Sequence, residues 1–156
     1  ALTALVDSGC FAQITVMVQK EVARRICAKP GTGDYGAFSV YCQFHGKPSL
    51  LLDVPAGCFT PAPKVDSAVV ALTPYEENPL GPVDEGLYFR VVRAAFAQRR
   101  KTLLNCLRHG FPQMEREDVL HCLEEADIGA QARGETLGLE DFARLTEAVG
   151  RRLQKE

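Results

Sequence analysis

Residues 12–28 have the sequence AQITVMVQKEVARRICA, in which the hydrophobic period changes halfway along. Apolar and polar side chains alternate over Ala12–Gln19, and β-branched residues are frequent there, which is typical of a strand. Over Lys20–Ala28 the apolar residues recur at helical spacing, and the sequence Lys29-Pro30-Gly31 then ends the pattern. The stretch therefore predicts a strand followed directly by a helix, which is the building unit of an α/β fold.

The segments around this unit extend the α/β pattern. Leu2–Gly9 is typical of the end of a helix that stops at a glycine. Ser49–Val54 is a nearly continuous apolar run, so we expect a strand that is buried on both faces. Val65–Thr73 predicts another strand, and the proline-rich loop between the two indicates an antiparallel pair at the edge of a larger sheet. Ala37–Phe44 is apolar and fits a helix or a strand equally well.

The chain changes character at Thr73–Val83, a stretch with three prolines, one glycine and no hydrophobic period. Beyond it, the pattern predicts one long amphipathic helix over Gly86–Arg108, a second over Glu115–Glu125 and a third over Leu139–Gln154. No strand pattern occurs after residue 83. We therefore expect an α/β portion over residues 1–74, a linker over residues 75–83 and a small all-helical domain over residues 84–156.

Charge is distributed unevenly along the chain. The net charge of the 156 residues is −2, which by itself does not indicate a nucleic-acid partner. The segment 90–108, however, contains no acid and six cations: Arg90, Arg93, Arg99, Arg100, Lys101 and Arg108. A basic helix face is typical of binding to a phosphate backbone. The alternative is a solvated face that pairs with the acidic helix beside it.

Cysteine and histidine usage argues against several kinds of site. The six cysteines form no CxxC pair and match no zinc-ligand spacing. Because their neighbours are mostly apolar, we expect reduced, buried or half-buried thiols in a cytoplasmic protein. The three histidines are scattered, so we expect no bound metal and no catalytic triad. No apolar run approaches the roughly 18 residues that cross a membrane, and we expect no membrane partner.

Two longer motifs are more specific than these patterns. Residues 59–70 have the sequence FTPAPKVDSAVV, and residues 93–103 have the sequence RAAFAQRRKTL. The first resembles the FxPxPKVDSAVV motif, and the second the AFxQRRKTLRN motif, of rRNA adenine N6,N6-dimethyltransferases. Shorter matches at Val18–Ala23, Tyr35-Gly36 and Arg133–Leu137 occur in the same order and at similar distances. The resemblance covers essentially the whole chain and is greatest for the bacterial members that act on 16S rRNA.

The resemblance implies a Rossmann-like domain that binds S-adenosylmethionine, followed by a small all-helical RNA-binding domain. Family members carry a Gly-rich loop for this cofactor and an Asn-Leu-Pro-Tyr motif that holds the target adenine. This sequence contains no GxGxG, and its two asparagines, Asn78 and Asn105, lie in no such motif. The family has both motifs upstream of the position of Ala1. We therefore expect the C-terminal part of such an enzyme, without cofactor-binding residues and inactive by itself.

The resemblance also implies roles for individual side chains. Phe59 occupies the position of an aromatic platform for the extruded adenine, and the alternative is a core phenylalanine that caps the strand pair. Asp66 and Ser67 are expected to hold their loop through hydrogen bonds, and Arg133 and Glu135 to form an ion pair. A further set of side chains is expected to bind the rRNA backbone without reading its sequence: Lys64, Arg93, Gln98, Arg99, Arg100, Lys101 and Arg108.

The predicted function of the intact enzyme is dimethylation of the N6 amines of two adjacent adenines in small-subunit rRNA during ribosome biogenesis. The implied methyl donor is S-adenosylmethionine, and the implied partner is the rRNA of a pre-30S particle. Two alternatives stay open, namely a non-catalytic RNA- or ribosome-binding module and a protein-interaction domain whose basic helix contacts acidic partners. An exposed edge of the strand at Gln13–Gln19 also predicts self-association.

Overall fold

The computed structural model describes residues 1–155. Short 3-10 turns occur at Ala56–Cys58 and Gly134–Thr136. All strands of the described chain precede residue 75, and only helices follow, so the predicted α/β class with a helical second part is confirmed. The helices and strands follow one another in this order: α1 (Leu2–Asp7), β1 (Ile14–Gln19), α2 (Lys20–Cys27), α3 (Ala37–His45), β2 (Gly46–Val54), β3 (Ser67–Pro74), α4 (Glu85–Phe96), α5 (Leu103–Gly110), α6 (Arg116–Glu125) and α7 (Leu139–Gln154).

The three strands form one antiparallel sheet in the order β1-β3-β2. The predicted antiparallel pair of β2 and β3 is therefore confirmed, with a bulge between Leu50 and Leu52. Helices α2 and α3 pack on one face of the sheet, where Ile26 and Cys42 join the buried side chain of Val70. The segment that fitted a helix or a strand equally well is thus helical, and it covers the sheet.

Strand β2 is not buried on both faces, so this prediction from its apolar sequence is wrong. The side chains of Leu50, Leu51 and Leu52 are 55%, 54% and 53% exposed. β2 pairs only with β3, and the helices of the described chain cover only one face of the sheet. Met17 of β1 is exposed for the same reason. An apolar run shows that a strand can be buried, but burial depends on what packs against it.

The long helix predicted over Gly86–Arg108 is also wrong, because α4 ends at Phe96 and α5 begins only at Leu103. The side-chain oxygen of Thr102 caps α5 by accepting a hydrogen bond from Asn105 N at 3.5 Å. Leu103 N donates to the carbonyl of Ala132 at 2.7 Å rather than to a helical carbonyl upstream. The apolar spacing runs on through this break and therefore does not reveal it.

The largest buried cluster joins the α/β portion to the helices that follow it. Phe44 of α3 belongs to the same cluster as residues of α4, α5, α6 and α7. Tyr35 donates its hydroxyl to Leu137 O at 2.7 Å, and Tyr88 donates to Leu139 O at 3.1 Å. Burial raises the pKa of both tyrosines, so both hydroxyls stay protonated as donors. The division of the chain at residues 75–83 stays a prediction, and packing connects its two sides.

All six cysteines are free. Cys42, Cys106 and Cys122 are buried, whereas Cys10 and Cys58 are exposed. Burial raises the pKa of Cys42 to about 12 and that of Cys122 to about 11, which keeps these thiols unreactive. Among residues 1–155 no three His, Cys, Asp or Glu side chains converge as metal ligands would. No helix in the same range is both long and apolar enough to cross a membrane.

Candidate nucleic-acid interface

The segment between α4 and α5, residues 97–102, carries the QRRK part of the second motif and is called the basic loop below. Its backbone is held from inside by Lys101 N, which donates to Gln98 O at 3.0 Å. The thiol of Cys106 in α5 donates to the same carbonyl at 3.4 Å. With the hydrogen bond from Leu103 N to Ala132 O, the loop is fixed at both ends. The predicted RNA-binding residues Gln98–Lys101 thus lie in an ordered turn and not on a helix face.

The three consecutive cations of the basic loop have different surroundings. The guanidinium of Arg99 donates to Gly33 O, and its Nε lies 3.9 Å from a carboxylate oxygen of Glu135. Arg100 and Lys101 are exposed and form no ion pair within the described residues. Arg99 is therefore attached to the protein, while Arg100 and Lys101 are available to a ligand.

The remaining cations of this region are also divided. The guanidinium carbon of Arg90 lies 4.2 Å from the centre of the Phe111 ring, a distance that permits a cation–π contact. Arg93 of α4 and Arg108 of α5 are exposed and have no acidic partner among the described residues. The predicted single basic stripe is replaced by exposed cations on two helices and on the loop between them.

The acidic helix that follows does not neutralise the basic loop. Asp118 of α6 accepts from Arg152 Nε of α7 at 2.6 Å, and Glu125 lies 3.0 Å from Arg151 Nη2. The hydrogen bond from Arg152 lowers the pKa of Asp118, and the one from Arg151 lowers the pKa of Glu125. These two carboxylates of α6 pair with α7, and within the described residues no ion pair joins α6 to the basic segment, so the pairing that the sequence left open is not seen there.

The predicted ion pair between Arg133 and Glu135 is absent among the described residues, and Glu135 faces Arg99 instead. The two residues flank the first position of a 3-10 turn, and Arg133 O accepts a hydrogen bond from Thr136 N at 3.0 Å. Sequence proximity suggested the pair, but the tight turn directs the two side chains differently. Arg99 and Glu135 are far apart in the sequence, so no local sequence pattern indicates that they are in contact.

Phe59 lies in the loop between β2 and β3, directly after the 3-10 turn at Ala56–Cys58. Asp66 accepts from Ala56 N at 2.9 Å through its side chain and from Lys20 N at 2.9 Å through its carbonyl, so the loop is tied at its base. This agrees with the structural role predicted for Asp66. Phe59 is half-buried and belongs to none of the buried clusters. Lys64 of the same loop is exposed and has no ion pair within residues 1–155.

Two clefts lie beside the loop that precedes α3, and the first of them reaches the basic loop at Arg99. The first, of about 450 Å³, is lined by Arg99 and Asp34 together with the first turn of α3. The second, of about 470 Å³, lies between α2 and β2 and is lined by Asp34, Arg24 and Lys29. Asp34 borders both clefts, so they adjoin. Arg24 and Lys29 were not singled out from the sequence, although both are cations on the exposed side of a strongly amphipathic helix and its end.

The described residues do not fit a site for S-adenosylmethionine. In doubly wound folds a nucleotide-like cofactor lies in the crevice at the carboxyl ends of parallel strands where the strand order reverses. Every strand pair described here is antiparallel, so this crevice is not formed within residues 1–155. Residues 31–36 have the spacing GxGxxG, which is distinct from the GxGxG that the sequence lacks. They follow a helix and not a strand, and therefore lack the context that this spacing needs.

Comparison with known proteins matches the motifs and the fold together. Residues 3–145 match the family model described as Ribosomal RNA adenine dimethylase. The chain belongs to this family. The resemblance inferred from the two motifs is thereby confirmed, and the family model extends from α1 into α7, well beyond the motifs themselves.

Relatives within the adenine dimethylase family are longer than this chain. The Ribosomal RNA small subunit methyltransferase A of Geobacillus sp. (strain WCH70) is 46% identical over 138 residues, which are 87% of this chain and 47% of the relative. The protein of the same name from Alkaliphilus metalliredigens (strain QYMF) is 46% identical over 139 residues, 89% of this chain and 48% of the relative. The chain spans about half the length of the curated relatives it matches.

Two solved structures share the fold of this chain. A dimethyladenosine transferase from Plasmodium falciparum superposes with a TM-score of 0.78 at 25% identity, over 97% of this chain and 62% of that one. The 23S rRNA methyltransferase ErmE superposes with a TM-score of 0.64 at 26% identity, over 96% of this chain and 61% of that one. Both are rRNA or adenosine methyltransferases by name, so the sheet and helices seen here recur in enzymes of this class.

Proposed function

We propose that these 156 residues bind small-subunit rRNA as part of an adenine N6,N6-dimethyltransferase that modifies two adjacent adenines. The observation that carries the proposal is the basic loop. Its backbone is fixed by hydrogen bonds to α5 and to Ala132, while Arg100 and Lys101 stay exposed and unpaired within the described chain. A fixed turn presents two cations at little conformational cost, which favours a ligand with regularly spaced negative charge.

RNA suits this surface better than an acidic protein does. An A-form helix is recognised mainly through its phosphates and 2′-hydroxyls, which needs exposed cations and no apolar contact area. Arg93, Arg100, Lys101 and Arg108 are all exposed and without an acidic partner in the described residues. Each phosphate contact would release counterions, so the affinity should depend steeply on salt. These contacts would position the RNA and leave the choice of adenine to other groups.

Phe59 is the group proposed to hold the adenine. A base must leave its stack before its N6 amine can react, and stacking on an aromatic ring offsets part of that cost. The half-buried ring of Phe59 lies outside the buried clusters, in a loop anchored by Asp66. Lys64 in the same loop would contact a phosphate beside the extruded base. This arrangement lets the loop orient one nucleotide while the basic loop holds the backbone.

The methyl group would come from S-adenosylmethionine bound by residues outside those described here. The proposed substrate is the rRNA of a pre-30S particle, so the reaction would belong to ribosome biogenesis in the cytoplasm. The Geobacillus and Alkaliphilus relatives are small-subunit rRNA methyltransferases by name, which supports this substrate class. The contribution of this chain is then binding and orientation, which lower the barrier by fixing the reacting atoms in place.

A non-catalytic RNA- or ribosome-binding module is the second candidate, because the described residues combine exposed cations with a sheet that forms no cofactor crevice. The chain would then bind RNA with the same salt dependence but show no preference for an unpaired adenine. Self-association is a further proposal for its sheet, since β1 pairs on one side only within the described residues, and Met17 of β1 and Leu52 of β2 are exposed.

The test of RNA binding is Arg100→Ala combined with Lys101→Ala, measured by fluorescence anisotropy with a fluorescein-labelled RNA hairpin whose loop carries adjacent adenines. Loss of two phosphate contacts should lower the slope of log affinity against log salt by roughly 1.4–1.8. The affinity near 0.1 M salt should fall by about one to two orders of magnitude.

A matched control removes two exposed cations elsewhere, by Lys47→Ala in β2 combined with Arg116→Ala in α6. This control changes the net charge equally and should alter the slope far less. Equal slopes for the two double variants would mean that the chain attracts RNA only through its overall charge. No change with Arg100→Ala and Lys101→Ala would exclude the basic loop as the RNA-binding site.

A further inference from the structure

We infer that Arg99 positions the basic loop instead of contacting phosphate, and that Glu135, although acidic, strengthens RNA binding by holding Arg99. This inference rests on the proposed RNA-binding function and assigns roles within that surface. It separates three adjacent cations that the sequence presents as equivalent. Arg100 and Lys101 contact the RNA, while Arg99 connects the loop to the rest of the protein.

The first observation is the orientation of the Arg99 guanidinium. One terminal nitrogen donates to Gly33 O, and Nε faces the carboxylate of Glu135 at 3.9 Å. Both partners lie outside the helices that flank the loop, Gly33 in the loop before α3 and Glu135 in the 3-10 turn before α7. A planar guanidinium can serve two acceptors at a fixed angle, which a lysine ammonium on a flexible stem cannot reproduce.

The second observation is that Glu135 is itself held in place through the main chain. Its carbonyl accepts a hydrogen bond from Gly31 N at 2.7 Å. The preceding residue, Gly134, is buried so closely against α4 that a Cβ there would lie 2.7 Å from Ala95 O. The turn is thus pressed onto α4 and joined to the loop that contains Gly33. The two acceptors of Arg99 therefore belong to one connected support.

The third observation is that the other hydrogen bonds of the basic loop do not connect it to the α/β part. The hydrogen bonds at Gln98 and at Leu103 fix the two ends of the basic loop within the helical part. Arg99 is the residue of the loop whose side chain reaches the α/β part, through Gly33 O. The Arg99 side chain is itself 58% exposed, but its guanidinium is bound to Gly33 O, whereas the next two side chains, Arg100 and Lys101, are exposed and form no ion pair within the described residues.

These geometries lead to opposite expectations for one substitution. If Glu135 acted only through its charge, its removal beside an RNA-binding loop would reduce repulsion of phosphate and tighten binding. If Glu135 holds Arg99, its removal frees the loop, and the RNA must then order it on binding. The sign of the change in affinity for Glu135→Gln therefore distinguishes the two roles without any assumption about its size.

The experiment measures the fluorescein-labelled RNA hairpin against the full chain carrying Glu135→Gln, Arg99→Lys or both. We expect Glu135→Gln to weaken binding by up to about fivefold, the range for a half-exposed ion pair. Arg99→Lys keeps the charge but loses the planar contact with Gly33 O, and should weaken binding similarly with an unchanged salt slope. The double variant should add little to either single change, because both remove one interaction.

Glu124→Gln, an exposed acid of α6 without an ion pair in the described chain, is the matched control and should tighten binding slightly or leave it unchanged. Thermal unfolding of each variant establishes that the fold is intact. Tighter binding by Glu135→Gln, or parent-like binding by Arg99→Lys, would overturn the positioning role. If instead Arg100→Ala with Lys101→Ala has no effect on binding, the proposed function fails first, and that result is separate from either sign for Glu135.

Discussion

The helical part and the sheet part of this chain differ in how completely their charged groups are paired and their apolar side chains are buried. In the helical part, α6 and α7 are joined by the pairs of Asp118 with Arg152 and of Glu125 with Arg151. The helices share one buried cluster, and the loop between α4 and α5 is fixed at both ends. In the sheet part, one face exposes Met17 and Leu52, and β1 pairs along one edge only.

This difference predicts separate roles for the two parts in binding and in chemistry. The helical part holds the ends of its basic loop with backbone hydrogen bonds, and Arg99 connects this loop to Gly33 of the α/β part, so a fixed set of cations faces the RNA. A sheet with an uncovered apolar face needs further cover, because exposed apolar surface of this kind favours association. We therefore expect binding of the RNA backbone to depend on the helical part, stacking of the base to depend on Phe59 in the sheet part, and methyl transfer to depend on residues outside those described.

The largest effect that would contradict this division is methyl transfer by these residues alone. Incubation of the chain with RNA and radiolabelled S-adenosylmethionine should give no transfer above background, because the described strands form no crevice for the cofactor. Equilibrium dialysis with the same labelled compound checks binding separately. Transfer above background would show that the sheet part is functionally complete.

The next effect concerns Phe59, the proposed contact between the sheet part and the base. Phe59→Ala should weaken binding of a hairpin with 2-aminopurine at the target adenine by roughly 5- to 150-fold, the equivalent of about 1–3 kcal/mol for one stacked base. Phe59→Tyr keeps the aromatic face and serves as the control. The fluorescence of 2-aminopurine reports stacking directly.

The competing interpretation of Phe59 gives a different result. A fully buried phenylalanine changed to alanine costs about 3–5 kcal/mol of folding stability. Because Phe59 is half-buried and outside the buried clusters, we expect a clearly smaller loss in urea unfolding. If Phe59→Ala lowers the free energy of unfolding by the full amount expected for a core phenylalanine, and RNA affinity falls only because the protein unfolds, Phe59 has a packing role.

The smallest effect concerns the open edge of the sheet. Pairing between the β1 strands of two copies should give a dimer in light scattering. Met17→Lys should raise the dissociation constant of this dimer by about tenfold, since an exposed charge on a flat strand opposes pairing. Thr3→Lys, on the exposed side of α1, adds the same charge away from the strand and should leave the dimer unchanged. A monomer at all concentrations would contradict self-association through the edge of β1.

Local patterns predicted much of the fold. The alternation in β1 and the helical spacing in α2 gave correct elements, since each depends on neighbours within a few residues. The pair of β2 and β3 also followed from apolar runs and an intervening proline loop. The family motifs selected the two segments that carry the candidate site, although the QRRK segment was expected on a helix and lies in a turn.

The failures share one physical cause. The break between α4 and α5 depends on Ala132, which accepts the hydrogen bond that Leu103 would otherwise make inside a helix. The exposure of Leu52 depends on the absence of cover on one face of the described sheet, and the partner of Glu135 is 36 positions away at Arg99. None of these contacts produces a recognisable pattern in the sequence around the residue concerned.

The sequence by itself determined the α/β and helical segments, the family and the presence of a cationic cluster, because hydrophobic period and motif are properties of neighbouring residues. Only the tertiary structure decided that the QRRK segment is a turn, that Arg99 is held by Gly33 and Glu135, and that Arg100 and Lys101 remain exposed. The direction of a side chain depends on acceptors brought together by folding, and these lie far apart along the chain.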